Sequence, residues 1–254
     1  MDKNDSILVH RFHDMATKAS RSGGVVFSNF LNLNELNLLS EERNNLEASF
    51  DLFGGFSNAE RQIACFQSDA FSLYSNKEIE YPMYCIQIDY ASKKYAEKLS
   101  HRDVLGSLMN LGIERDLLGD IIFYKDSIYV FALQTAKELI LSDLSKIRHT
   151  QVRTRVVPLD EFHYEPDYKE CTIMIASNRL DAFVASVCNL SRQKSSEYIL
   201  SEKVFINGKL ITNHNSKLEE GDIVSLRGYG KLKVISFPGV TKKGKMKIIY
   251  WLYQ

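Results

Sequence analysis

Cysteine, proline and net charge are all in short supply in this chain, and each shortage closes off a class of protein. The 4 cysteines, Cys65, Cys85, Cys171 and Cys188, lie far apart and form no C-x-x-C pair. Their spacing excludes a zinc ribbon or a thioredoxin-type motif, which leaves small buried hydrophobes in a reducing compartment. Only 4 prolines occur in 254 residues, which argues against long stiff linkers. No apolar run approaches the roughly 18 residues of a membrane span. The start, MDKNDSILVHRFHD, has no apolar signal-peptide core. A cytoplasmic protein with no membrane partner is therefore expected. Overall charge is absent too, with 32 Lys+Arg against 32 Asp+Glu. That balance conceals a split. Asn178 to Gln254 holds 13 Lys+Arg and 6 Asp+Glu, a net of +7, while Met1 to Ser177 holds 19 and 26, a net of −7. So sharp a split suggests that the basic end meets a polyanion.

The remaining pattern predicts an α+β protein in several parts. Residues 1–79 read as a mainly helical domain. Within it, Ser57-Asn58-Ala59-Glu60 has the form of a capping box opening a helix through Arg61, Ile63, Ala64 and Phe66. Phe53-Gly54-Gly55-Phe56 reads as a turn, and no Lys-Ser/Thr follows to make it a phosphate loop. Residues 80–160 give the order β-α-β-β-α-β. Strands are expected at Met83–Ile88, Asp120–Tyr124, Ser127–Phe131 and Gln151–Val157. Ser100-His101-Arg102-Asp103 is a second capping box, and Gly112 ends its helix. Ala136–Ile147 is the second helix. This order suggests a ferredoxin-like sandwich of the kind RNA-recognition motifs use. On such a sheet Tyr84, Phe123, Tyr124, Tyr129 and Phe131 are candidate base platforms, with core packing the commoner use. His101-Arg102-Asp103 does not make a kinase, because the glycine-rich loop and Asp-Phe-Gly are missing. Residues 161–177 read as an acidic linker ending in a short strand. His163 with Glu161, Glu165 and Asp167 is better taken as exposed linker charge than as a metal cluster.

Residues 178–254 carry the chemistry. A helix from about Arg179 to Val187, capped by Asn178, has the apolar stripe Leu180, Phe183, Val184, Val187. A second helix begins at Ser191, a good N-cap. Arg192 and Lys194 stand in its first turn, against the helix dipole, where a bound phosphate would compensate them. On that reading Arg192→Glu with Lys194→Glu leaves the free fold no less stable. Ser195 and Ser196 are small enough to let a backbone approach. Lys203–Ile206 and Ile223–Arg227 are strands, and Asn207-Gly208 is a hairpin turn. Gly239–Gln254 is a basic turn followed by an apolar strand. The expected RNA-contacting set is Arg179, Ser191, Arg192, Lys194, Ser195, Lys203, Asn207, Gly208, Lys209, Arg227, Lys231, Lys242 and Lys243. No catalytic residue, metal or cofactor is expected.

Arg179-Leu180-Asp181, Ser191-Arg192, Ile199, Val204, Asn207-Gly208, Leu218, Gly221-Asp222, Ile223 and Arg227-Gly228 closely resemble the small RNA-binding fold named after ribosomal protein S-four, the alpha-L motif. Where that family usually has Gly before the strand begun by Val204, this chain has Ser201-Glu202-Lys203. With Asp51–Phe66, Leu99–Ile122 and Leu190–Lys194, the whole chain resembles the bacterial YlmH family. That resemblance implies a protein that binds ribosomal RNA and tRNA on the large ribosomal subunit during rescue of stalled nascent chains; a monomer with no small-molecule substrate is expected. Two other readings stay open. One is an RNA-modifying enzyme of pseudouridine-synthase type, whose Arg-Leu-Asp carries the catalytic Asp. The other is a protein adaptor linked to cell division.

Overall fold

Ile63, Ala64, Cys65 and Phe66 are all fully buried, and they decide the architecture of the N-terminal region. They lie in β3 (Gln62–Gln67), the middle strand of a sheet ordered β1-β3-β2, between β1 (Val25–Leu31) and β2 (Ser49–Phe53), with both pairings antiparallel. The computed structural model describes residues 3–57, 59–68, 71, 79–92, 96–164, 167–241 and 244–253. They form two compact units, Met1–Tyr164 and Glu165–Gln254. No helix among them is long and apolar enough to cross a membrane.

In the mainly helical domain expected at 1–79, the helix expected through Arg61, Ile63, Ala64 and Phe66 is corrected by this sheet. A strand buried on both faces loses the alternation that distinguishes it from a helix, so its continuous apolar run was ambiguous. Ser57 opens no helix either. The Glu60 and Arg61 amides donate instead to the Asp120 carboxylate, at 2.7 and 3.2 Å. α1 (Lys3–Ser22) and α2 (Leu33–Glu41) pack Phe12, Ala16 and Leu39 onto Phe50, Ala64 and Phe66. The Gly54-Gly55 turn is present. Gly55 has φ +95°, and a Cβ there would lie 2.3 Å from the Phe131 ring.

The second sheet of this unit has the order β5-β6-β4-β8-β7 and is antiparallel throughout. Its strands are β4 (Met83–Tyr90), β5 (Leu118–Tyr124), β6 (Ser127–Leu133), β7 (Lys146–Ile147) and β8 (Thr150–Val157). α3 (His101–Asn110) and α4 (Gln134–Asp143) place Val104, Leu108, Ala136 and Ile140 on Ile86, Ile88 and Val130. The Ser100–Asp103 capping box forms as expected, and Gly112 takes φ +81° just past the helix end. The opposite sheet face is covered. Cys85, Phe131 and Val157 pack with Phe30, Ile63 and Phe162. Phe162 also lies 4.9 Å from the Tyr129 ring, and Tyr164 lies 5.4 Å from Tyr124. Tyr129 and Phe131 therefore serve packing, while Phe123 remains 41% exposed.

The second unit is one sheet ordered β11-β10-β12-β13-β14-β9 with two helices, α5 (Leu180–Val187) and α6 (Arg192–Leu200), whose apolar residues share one core with it. The strands are β9 (Tyr168–Ile175), β10 (Val204–Ile206), β11 (Lys209–Leu210), β12 (Ile223–Leu226), β13 (Gly230–Val240) and β14 (Met246–Tyr253). The linker expected at 161–177 is shorter than expected: the strand at its end is present, but it runs Tyr168–Ile175 and pairs along its whole length with β14. Its mostly exposed side chains and the acidic residues that precede it made an edge strand look like part of a connection. Leu180, Phe183 and Val184 are fully buried, as the helical stripe requires, and Val187 packs at the margin. Cys65, Cys85 and Cys188 are buried free thiols, each raised by desolvation.

Candidate nucleic-acid interface

Asp181 organises the two helices of the second unit. It is 4% exposed in the first turn of α5. Arg179 grips it with two hydrogen bonds, Nε to Oδ1 at 3.1 Å and an Nη to Oδ2 at 3.0 Å. Arg192, in the first turn of α6, reaches the same Oδ2 at 2.7 Å. The Ala182 amide donates to Oδ1 at 2.8 Å. Fully buried Ser195 donates its hydroxyl to the Asp181 backbone oxygen at 2.7 Å. Burial works to raise the Asp181 carboxyl, but the Arg179 hydrogen bonds and the charges of Arg192 and Arg179 hold it below the ordinary value.

This cluster corrects several expectations. The anion that compensates Arg192 belongs to the fold, so Arg192→Glu, alone or with Lys194→Glu, is expected to destabilise it. Ser195 is a helix-to-helix contact rather than a gap for a phosphate backbone. Asn178 does not cap α5: its side-chain amide donates to Leu218 O at 3.1 Å, and Arg179 stands at the cap position. Ser191 does cap α6, accepting from the Lys194 amide at 3.2 Å. Asn207 and Gly208 have φ +50° and +78°, as an Asn-Gly hairpin requires. The Asn207 side chain is engaged there with Asp222 and the Ile223 amide, both at 2.9 Å. Lys242 and Lys243 lie outside the described residues.

Three of the expected cations converge. Lys194, Lys203 and Arg227 line an open groove of about 550 Å³ between α6 and the β12–β13 turn. Tyr198 and Tyr229 line it too, their rings edge to face at 5.7 Å. The Tyr198 hydroxyl donates to the Arg227 backbone oxygen, and the Lys203 ammonium sits 5.5 Å from the Tyr198 ring. Burial pushes the Tyr198 phenol up to about 12. Glu197 is the one carboxylate among the lining residues, and it accepts from Gln193 at 3.0 Å. A cationic groove with tyrosine rings offers phosphate attraction and a base platform together. The tyrosines were missed in the sequence. Tyr198 follows Lys194 by four residues, which puts both on one helix face. Tyr229 stands between two glycines with φ +89° and +122°, a turn that presents its ring outward.

Glu202 stands in an unusual backbone conformation. It takes φ +59° just after α6, a left-handed position that a side chain disfavours. Glu202→Gly is expected to raise stability by about 1 kcal/mol. Urea unfolding of the two proteins checks this, and an unchanged midpoint would show that the turn carries no strain.

Residues 76–161 match the family model YlmH_RBD, which describes a candidate RNA-binding domain in YlmH. The chain is 26% identical over 224 residues to the "Ribosome-associated protein quality control protein P2" of Bacillus subtilis (strain 168), covering 88% of this chain and 85% of that one. Among solved structures it is similar to "Cell division protein ylmH from Streptococcus pneumoniae", with a TM-score of 0.51 and 22% identity, over 63% of this chain and 95% of that one. The last likeness concerns the fold alone.

Proposed function

We propose, for a chain that resembles the YlmH family over most of its length, a non-catalytic RNA-binding protein that acts on the large ribosomal subunit. It engages ribosomal RNA and tRNA there, in quality control of stalled translation. The observation that carries this reading is the groove of Lys194, Lys203, Arg227, Tyr198 and Tyr229. Support comes from the ribosome-associated relative and from the RNA-binding domain matched at 76–161.

The finer architecture belongs to the same reading. The antiparallel order β5-β6-β4-β8 with α3 and α4 on one face is read as ferredoxin-like. The α5–α6 pair on its sheet is read as the S-four type. Asp181, the aspartate of Arg179-Leu180-Asp181, is sequestered by two arginines and an amide, which suits a structural role better than the nucleophile of a modifying enzyme. Lys209, at the exposed β10–β11 hairpin, is proposed as a peripheral phosphate contact.

The test is co-sedimentation with ribosomes. Lys194→Glu with Lys203→Glu is expected to lower affinity by about a hundredfold or more, since two charge-assisted contacts of about 1.5–3 kcal/mol each become repulsive. Both side chains are exposed, so melting should stay close to that of the parent chain. Undiminished co-sedimentation by a folded double variant would refute the groove as the interface.

A further inference from the structure

The sheet of the second unit has two faces, and only one of them is accounted for. In β14, Ile248 and Tyr250 are buried in the core, so Lys247, Ile249, Trp251 and Tyr253 lie on the other face. The register sets Trp251 between Lys233 of β13 and Glu170 of β9. Tyr168 stacks its ring on Trp251, with centroids 3.9 Å apart and planes within 20°. The indole N–H points to the Glu170 carboxylate at 3.4 Å, which fixes the ring in its plane. Tyr168 is 40% exposed. By the same alternation Lys231 and Lys233 lie on this outer face, because Leu232 and Val234 are fully buried opposite them. On β10, Phe205 shares the face, and the Arg227 guanidinium sits 5.0 Å from its ring. Arg227 also lines the groove already described, so the two surfaces are continuous.

We propose that this outer face is a second RNA surface, one that takes a single-stranded stretch by stacking bases on the Tyr168–Trp251 pair. Ordered, solvent-facing rings with no core role suit a stacked base. Lys231, Lys233, Lys247 and Arg227 outnumber the carboxylate of Glu170, which favours a polyanion over an apolar protein partner. Stacking tolerates any base, so the surface selects strandedness and not sequence. Duplex RNA, with its bases turned inward, cannot reach the rings. The proposal rests on the RNA-binding reading above and extends it from the groove to an unpaired strand leaving it.

Trp251 is the chain's single tryptophan, so its emission reports on this face alone. In the full-length protein a short oligouridylate should quench that emission saturably, and a blunt RNA duplex should not. Tyr168→Ala should weaken the oligouridylate affinity about tenfold or more, and Tyr168→Phe should restore it. Lys194→Glu with Lys203→Glu should keep the quenching while losing ribosome co-sedimentation, which separates this proposal from the groove. Should Tyr168→Ala fold poorly, Lys247→Glu serves instead and should weaken the same binding. Absence of quenching, equal quenching by duplex, or unchanged affinity in a folded Tyr168→Ala or Lys247→Glu protein would overturn it.

Discussion

Gly55→Ala is expected to lower the stability of the N-terminal unit by about 3 kcal/mol or more, the sum of overpacking and a left-handed backbone. The added Cβ would sit 2.3 and 2.4 Å from two carbons of the Phe131 ring. Phe131 cannot yield, because it is fully buried against Phe56 and Phe162. Gly112→Ala is the control. Its φ of +81° is as unsuited to a side chain, but a Cβ there meets nothing within 4 Å. It should cost only about 1–2 kcal/mol, the backbone part of the effect. Chemical unfolding of both variants reads the difference. Equal losses would mean that the turn, and not the ring contact, sets the requirement for glycine at 55.

Arg192→Glu should destabilise the second unit by about 2–3 kcal/mol. It removes a 2.7 Å charge-assisted hydrogen bond and faces the buried Asp181 with a second carboxylate. Arg192 is itself about half exposed, so solvent screening keeps the loss below that of a fully buried pair. Lys194→Glu, two residues on and exposed, should change stability by no more than a few tenths of a kcal/mol, in the favourable direction for a helix N-terminus. The sign of the pH dependence follows from Asp181. Its carboxyl is held below its ordinary value, so its contribution is complete above that value and is lost as pH falls through the lowered one. The gap between the parent chain and Arg192→Glu should therefore be full at neutral pH and narrow in acid. A gap that widens in acid would contradict the pairing.

These contrasts mark where the sequence could be read and where it could not. The α5 stripe, the Ser191 cap, the Ser100–Asp103 box and the Asn207-Gly208 hairpin are local, each set by residues within a few positions of one another, and each was legible. β3 was not, because burial on both faces erased its alternation. β9 was legible only as a short strand ending a linker, because an exposed edge strand with charges shares its composition with a loop. The role of Arg192 was hidden for a related reason. Helix-dipole arguments concern one helix, whereas the carboxylate that answers Arg192 lies on the preceding one. Of the residues that line the groove, Lys194, Lys203 and Arg227 stand out in the sequence by charge, whereas Tyr198 and Tyr229 do not, because aromatic residues are usually assigned to the core. The outer-face rings of Tyr168 and Trp251 come together only through the β9–β14 register.

The central claim is that the groove carries the RNA affinity, and the salt dependence of ribosome binding tests it most directly. Each phosphate contact should contribute about 0.7–0.9 to the slope of log affinity against log salt. For Lys194→Glu with Lys203→Glu the slope should become shallower by roughly 1.5 or more. The same slope and affinity in the folded double variant would contradict the account.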